Sequence, residues 1–315
     1  MSLYRELPAG AQTAYAELYE LAQIAETRRS PASLVGKIAY KTIKTRRYAY
    51  WAFKEIDGRK REYYLGPESP AIQAIEAARS EGAPAAEVVA RQAAAAGAQG
   101  CSLTPPKHFR IAKRLADYQF FRAGGLLVGT HAFLALGNQL GVAWGSGTRT
   151  LDLDFGHAGP GGNVAVALPA DLRVDADDAL RSLALGFLPA PDLGVALSPL
   201  KFFEYLLEAP GQSVLIDRND ACLVNLPDPA RYGLHKLIVA AERGARHPKY
   251  RKDILQALAL VEWHLDRAPH ALAEAWRDLA GRGAGWRKRA IESLGQAPVA
   301  QTKLVLQFKE FVGLK

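Results

Sequence analysis

Two aspartates one residue apart are the residues of this chain best suited to chemistry. Asp152 and Asp154 lie in the segment Thr-Leu-Asp-Leu-Asp-Phe at residues 150–155. Because side chains alternate along a β-strand, we expect both carboxylates on one face and the apolar residues on the other. Two carboxylates this close repel each other unless a cation lies between them, and Mg²⁺ (or Mn²⁺) takes oxygen ligands of this kind. The spacing predicts a metal site, with an ordinary solvent-exposed strand face as the alternative.

A glycine turn precedes these aspartates along the chain. An apolar strand at 126–128 passes at Gly129 and Thr130 into a sequence with helical periodicity. The N-terminus of a helix offers free backbone N–H groups and a partial positive charge, which suit phosphate, although threonine also serves there as a plain N-cap. We therefore expect Gly129 and Thr130 to hold phosphate groups. A phosphate site beside paired carboxylates is typical of metal-assisted nucleotidyl or phosphoryl transfer.

These two elements resemble the Gly-Ser/Thr and Asp-x-Asp signature of the DNA polymerase β-like nucleotidyltransferase superfamily. Over roughly residues 105–290 the chain is also similar to a bacterial branch of nucleotidyltransferase-fold proteins, through the strings GTHAF, TLDLDF, PLKFFEYLLE, VNLPDPARYGLHKLIVAAER and GAGWRKR. The resemblance implies an α+β fold with a polymerase β-like core of mixed sheet and helices. It also implies Mg-dependent transfer of an NMP from an NTP to a hydroxyl of RNA, protein or a small molecule. Two alternatives stay open: a non-catalytic nucleic-acid-binding protein on a degenerate core, and a toxin-type transferase with an antitoxin partner.

The resemblance leaves the third catalytic carboxylate open. Members that transfer nucleotides usually carry another acid on a neighbouring strand, and in this branch we expect it in a strand after Leu-Gly-Phe-Leu-Pro at 185–189. That strand is not evident here, because the chain runs almost directly into Asp-Leu-Gly-Val-Ala-Leu-Ser-Pro-Leu at residues 192–200. Glu204, in a predicted strand over 201–207, is the best substitute and Asp217 the next. An incomplete active site is the remaining alternative.

Basic and histidine side chains near these elements are further candidates. Arg231 and Lys236 lie on a predicted helix over 231–243, where they are expected to bind the triphosphate or to form a solvent-exposed basic face. His131 follows the glycine turn, and a packing or capping role is expected for it in preference to catalysis.

A basic, aromatic-rich segment at residues 37–64 predicts an antiparallel sheet with a turn at Asp57-Gly58. Lysines and arginines there would bind the phosphates of RNA or DNA, and the aromatic rings would stack on unpaired bases or form a small core. The side of the sheet on which the aromatic residues lie distinguishes the two. Aromatic residues on the same face as the cations favour nucleic acid, and aromatic residues on the opposite face favour a core.

Turn-forming residues and the spacing of apolar residues divide the chain into three predicted parts. Residues 1–104 are expected to hold an N-terminal helix over 3–28, the basic sheet and a helical connector over 67–98. Residues 105–230 are expected to form the transferase-like core, with a loop at 156–162, a helix at 175–185 and a strand at 214–216. Residues 231–315 are expected to be helical, ending in a strand-like run at 304–308. The alanine-rich stretch at 88–96 fits either a tightly packed helix or a loose connector.

Composition limits the classes of protein to which the chain can belong. The formal charge of +8 in 315 residues favours an anionic partner. The chain has two cysteines, Cys101 and Cys222, which argues against a disulfide framework or a cysteine zinc site. Since the sequence shows neither a signal peptide nor an apolar run long enough to span a bilayer, we expect a cytoplasmic protein with no membrane partner.

Overall fold

A computed structural model describes residues 2–28, 36–54, 60–117, 120–145, 152–159, 162–169, 196–199 and 202–314. The helices of these residues are α1 Ala9–Thr27, α2 Pro70–Ala98, α3 Pro106–Asp117, α4 Gly129–Gln139, α5 Pro229–Arg243, α6 Tyr250–Arg267, α7 Pro269–Gly281, α8 Ala284–Gly295 and α9 Thr302–Phe311. The strands are β1 Tyr4–Glu6, β2 Lys37–Ile43, β3 Arg46–Lys54, β4 Lys60–Pro67, β5 Leu126–Val128, β6 Val142–Trp144, β7 Asp152–Gly159, β8 Gly162–Pro169, β9 Ala196–Pro199, β10 Gly211–Asp217 and β11 Asp220–Leu226. The expected α+β class is confirmed. Within these ranges, no helix has both the length and the apolar character that crossing a bilayer requires.

The central sheet holds the aspartate strand. Its order is β5-β7-β8-β9, and all three pairings are antiparallel. Leu153 and Phe155 of β7 are fully buried and join the main hydrophobic core, which continues into the C-terminal helices. The alternation of apolar and acidic residues thus anchors β7 by one face, as predicted.

The loop predicted at 156–162 is wrong for residues 156–159, which continue β7, and for residue 162, which begins β8. Glycines there suggested a loop, but Gly156 has a packing reason. A Cβ on Gly156 would lie 2.0 Å from Cζ of Phe203, so the phenyl ring occupies the space of the missing side chain. The predicted helix at 175–185 lies outside the described residues. The expectation that no strand follows Pro189 is wrong, because Ala196–Pro199 form β9, which pairs with β8 and carries no acidic residue.

Phe203 belongs to a segment for which a strand was predicted, over 201–207. That prediction is wrong, because Phe202 has φ of 67° and residues Phe203–Tyr205 form a short 3-10 helix. Phe203, Tyr205 and Leu206 are all buried. The two-residue spacing of Phe203 and Tyr205 resembled a strand, but the adjacent burial of Leu206 is incompatible with simple alternation.

The N-terminal helices share a second core with the β10–β11 hairpin. Leu18 of α1, Ala93 of α2 and Val214 of β10 are fully buried in one cluster. The alanine-rich stretch is therefore a tightly packed helix, in which small side chains allow α1 to approach closely. The predicted strand at 214–216 is confirmed within β10. The domain boundary at 104/105 stays a prediction.

At both ends of the chain the secondary structure differs from the prediction. The N-terminal helix begins at Ala9, after Pro8, and residues 4–6 instead form β1, which pairs with β6. The strand-like run at 304–308 is helical and lies within α9. Its buried residues Leu304, Val305 and Phe308 follow helical spacing, and Leu306 points to solvent with 60% exposure.

The basic segment forms a three-stranded antiparallel sheet with the order β2-β3-β4. A turn at Lys44-Thr45, with Lys44 at φ 56°, divides the long first strand that the sequence suggested into β2 and β3. The predicted turn at Asp57-Gly58 lies outside the described residues. The antiparallel sheet itself is confirmed.

Candidate active site

The turn between β5 and α4 requires glycine for two reasons. Gly129 has φ of +70°, in the left-handed region that L side chains rarely adopt. A Cβ at this position would lie 2.1 Å from Oδ2 of Asp154 and 2.9 Å from its Cγ. The carboxylate of Asp154 therefore lies directly against the glycine backbone at the start of a helix.

Strand pairing explains this contact. Asp154 is opposite Val128, the last residue of β5, so it lies beside the turn that follows. Its side chain is half-buried, and among the described residues no hydrogen bond or ion pair holds it. Asp152 lies two residues earlier in β7, at a position on the same strand face, and is opposite Pro169. The side chain of Asp152 lies outside the described part of the structure.

Thr130 binds a cation that the sequence interpretation missed. Lys252, in the first turn of α6, donates from Nζ to Oγ1 of Thr130 over 2.9 Å. Burial lowers the pKa of Lys252, nearby Lys236 lowers it further, and Asp154 acts in the opposite direction. This lysine places positive charge beside the Gly129 turn. Positive charge in the first turn of a helix is disfavoured by the helix dipole, but the neighbouring Arg251 shares this signal, so it does not single out Lys252.

Helix α5 contacts the Gly129 turn through Tyr232. Tyr232 is buried and donates its hydroxyl hydrogen to the carbonyl oxygen of Gly129 over 2.6 Å. Burial raises the pKa of Tyr232, and the charges of Asp253 and Asp154 raise it further. The phenol is therefore a neutral hydrogen-bond donor, which fixes the orientation of the glycine peptide.

Lys236 lies behind this contact in a buried ion pair. Its Nζ is 3.3 Å from Oδ1 of Asp253, and Arg243 contacts the other oxygen of that carboxylate. The exposed fractions of Lys236 and Asp253 are 5% and 3%. Burial alone would raise the pKa of Asp253, but Lys236 and Arg243 together hold it below its ordinary value. The structure thus brings Lys236 near the turn with its charge neutralised by Asp253.

Arg231 lies elsewhere, in a cluster that joins α5 to α7. Its guanidinium pairs with Glu208, at 3.2 Å, and with Asp278, and it lies 4.8 Å from the ring centroid of Tyr205. Arg282 binds the same two carboxylates. No described contact joins Arg231 to Gly129, Thr130 or Asp154, so its predicted phosphate-binding role stays a prediction.

No described contact joins Asp154 to either candidate for the third carboxylate. Glu204 is exposed in the 3-10 helix whose Phe203 packs on Gly156, so it follows a residue that touches β7. Asp217 lies at the turn end of the β10–β11 hairpin, opposite Asp220. Strand β8, which lies next to β7, has no acidic residue in its sequence. The choice between Glu204 and Asp217 stays a prediction.

Histidines near the turn are buried and neutral. His131 is 2% exposed, and its Nε2 lies 2.7 Å from Nδ1 of His108. Burial lowers the pKa of His131 to about 3, and the proximity of His108 contributes. Burial likewise lowers the pKa of His235 on α5 to about 3. The burial of His131 in α4 agrees with the packing role expected for it.

The arrangement at the turn is therefore a helix N-terminus, a lysine and a carboxylate that has no partner among the described residues. Free N–H groups at the start of α4 and the Lys252 ammonium can bind phosphate oxygens. Among the described residues, no group of three or more histidine, cysteine, aspartate or glutamate side chains is arranged to hold a metal ion. Chemically, the site can bind a phosphate ester beside a carboxylate.

A family model described as nucleotidyltransferase matches residues 107–196 and 188–281, which together span more than half of the chain. The matched region contains the Gly129 turn, the aspartate strand, Lys236 and Lys252. The two matched pieces meet at 188–196, where the sequence suggests a shortened connection. No curated protein and no solved structure is measurably similar to the chain.

Proposed function

The chain belongs to the nucleotidyltransferase family, and from that premise we propose that it transfers an NMP from an NTP to a hydroxyl group at the Gly129 turn. The observation that supports this most is the contact between Gly129 and Asp154. A side chain at residue 129 would occupy the position of the Asp154 carboxylate, so the turn and the acid are shaped for each other. Nucleotidyl transfer requires a phosphate-binding turn close to an acidic residue, because both must be positioned beside the reacting phosphorus.

The residues fit a divalent cation by their chemistry. Asp154 offers a half-exposed carboxylate that no described hydrogen bond or ion pair satisfies. Asp152 occupies the next position on the same strand face. Mg²⁺ is commonly held by one or two carboxylates together with substrate phosphates and water, so this donor set suits Mg²⁺ (or Mn²⁺). When bound, such an ion would neutralise negative charge on the phosphate oxygens.

The residues of the chain have distinct roles in this proposal. The N-terminal amides of α4 hold the phosphates, and Lys252 neutralises charge that develops on them. Thr130 positions the Lys252 ammonium through its 2.9 Å hydrogen bond. Tyr232 fixes the peptide of Gly129, so the amides are oriented before the substrate arrives.

The reaction forms one bond and breaks one bond at phosphorus. The acceptor oxygen bonds to the α-phosphorus, and the bond from that phosphorus to the bridging oxygen breaks. The electron pair of the broken bond leaves with pyrophosphate, and the acceptor proton passes to a general base. We assign that base to Glu204, in the segment whose Phe203 contacts β7, with Asp217 as the alternative.

Calorimetric titration with each NTP, with and without Mg²⁺, tests the site. We expect Mg²⁺ to strengthen binding of at least one NTP to the wild-type protein and to have no such effect on Asp154→Asn. Lys252→Gln should weaken binding in both conditions. Arg251→Gln is the matched control, because it removes the same charge from an exposed neighbouring residue. A wild-type protein that binds no NTP, or an Asp154→Asn variant with unchanged Mg²⁺ dependence, would contradict the proposal.

The acceptor is proposed as RNA, a protein hydroxyl or a small molecule. Incubation with α-labelled NTP and each class of acceptor separates these three, because the label moves with the accepting molecule. A toxin-type role with an antitoxin partner predicts growth arrest when the chain is expressed alone. That arrest should disappear in Asp154→Asn, and its persistence would contradict a toxin role for this chemistry.

A further inference from the structure

The two faces of the β2–β4 sheet have different environments. On the face formed by odd-numbered residues of β3, Ala49 and Phe53 are buried. Trp51 lies beneath Arg79 of α2, with 5.3 Å from the guanidinium carbon to the ring centroid. Arg114 of α3 lies over Phe53 at 5.0 Å. This inner face contacts α2 and α3, which cover Trp51 and Phe53, whereas Tyr63 at its edge is 36% exposed.

The opposite, outer face carries three tyrosines that contact one another. Tyr48 and Tyr50 alternate along β3, and Tyr64 lies opposite Tyr50 on β4. The ring centroid of Tyr64 is 6.1 Å from that of Tyr48 and 5.5 Å from that of Tyr50. Tyr64 is 58% exposed, and the other two are half-buried. The outer face is therefore an open aromatic surface.

Exposed cations surround these rings. The strand register places five basic residues at outer-face positions, and all five are exposed: Lys37, Lys41, Arg46, Lys54 and Lys60. Among the described residues of the three strands, Glu62 is the one carboxylate on this face, and it pairs with Lys41. Nζ of Lys41 also lies 4.5 Å from the ring centroid of Tyr50. The charge of the outer face thus suits an anionic partner, and the rings suit one with flat apolar faces.

We propose that this outer face binds single-stranded nucleic acid, with bases stacked on Tyr48, Tyr50 and Tyr64 and phosphates on the surrounding cations. Unpaired bases expose the faces that stack on aromatic side chains, whereas a duplex hides them within its own stack. Phosphates supply the negative charge at regular spacing along the strand. An acidic protein would satisfy the cations but would leave the exposed rings without a partner.

Binding is measured by fluorescence anisotropy with labelled single-stranded RNA, single-stranded DNA and duplex DNA of equal length, without NTP, over a series of salt concentrations. We expect single strands to bind more tightly than the duplex. Tyr64→Leu keeps apolar bulk but removes the ring, and should weaken single-strand binding by about 5- to 150-fold. Because the assay contains no NTP, this result does not depend on the transferase proposal.

The cations are tested by their effect on the salt dependence. Replacing Lys37 and Lys60 with Gln removes two cations from the outer face and should reduce the slope of log affinity against log salt by about 1.4. The matched control replaces Lys288 and Lys303, exposed on α8 and α9, and should leave the slope unchanged.

Three results would overturn the proposal. They are the absence of single-strand binding at low salt, equal affinity for duplex and single strands, and equal effects of the outer-face and control lysine pairs. Preference for RNA or for DNA would identify the strand and supports the proposal in either case.

Discussion

Gly129→Ala tests whether the turn and the Asp154 carboxylate are shaped for each other. The change introduces two separate penalties. An alanine must adopt φ of +70°, and its Cβ must share space with a carboxylate oxygen 2.1 Å away. Gly244, at the C-terminal end of α5, separates them, because it has φ of +73° and an added methyl group there would meet no atom within 4 Å.

The expected magnitudes differ accordingly. Left-handed backbone costs an L-residue about 1–2 kcal/mol, and this is the whole penalty expected for Gly244→Ala. Forcing an atom into occupied space costs about 1–3 kcal/mol more, so Gly129→Ala should cost about 2–5 kcal/mol. The extra cost depends on Asp154. In an Asp154→Ala background, which removes Oδ2 and Cγ but keeps Cβ at 3.0 Å, Gly129→Ala should cost less than in the wild type and still more than Gly244→Ala.

Urea denaturation of the four variants and the wild type measures these free energies of unfolding. The double-mutant cycle isolates the coupling between residues 129 and 154. Mg²⁺-dependent NTP binding should be lost in Gly129→Ala, since the carboxylate must move, and retained in Gly244→Ala. Equal destabilisation by the two glycine substitutions, or a coupling of zero, would refute the close fit.

Further predictions concern the buried charges and histidines. Asp253→Asn leaves Lys236 buried opposite a neutral amide and should cost about 3–5 kcal/mol in urea denaturation, whereas exposed Asp266→Asn on the same helix should change stability by less than about 0.5 kcal/mol. His131 and His235 have folded-state pKa values of about 3 against an ordinary 6.5, so the unfolded chain binds protons first as the pH falls. Stability should therefore be complete above pH 6.5 and decline towards pH 3 by about 1.4 kcal/mol per pH unit for each histidine. Denaturation between pH 7 and 4 measures the decline, and a His131→Gln variant that keeps the full slope would contradict the assignment.

Short sequence patterns predict the Gly129 turn and the strand that carries Asp154. The alternation of Leu153 and Phe155 with the aspartates is a property of neighbouring residues, so it can be read without the fold. Lys252 could not be found this way, because its bond to Thr130 joins residues 122 positions apart. No periodicity links residues on separate helices.

Errors in the secondary structure have a similar origin. The run at 304–308 is rich in apolar residues, but packing of Phe308 against Trp276 of α7 favours a helix there. The pattern at 201–207 resembles the alternation of a strand, although the left-handed Phe202 starts a tight turn. In both segments tertiary contacts outweigh a short local pattern.

Helices α2 and α3 both hold the basic sheet, through the contact of Arg79 with Trp51 and through two hydrogen bonds. Tyr40 donates to Glu76 of α2 over 2.7 Å, and Arg114 of α3 donates to the carbonyl of Lys54 over 3.0 Å. Helix α2 continues from the sheet into the core shared with α1, as a single rod of 29 residues. Attachment to two helices prevents rotation about the axis of that rod. The orientational freedom of the sheet is thus lost when the chain folds, so a partner that docks on it need not supply that entropy again.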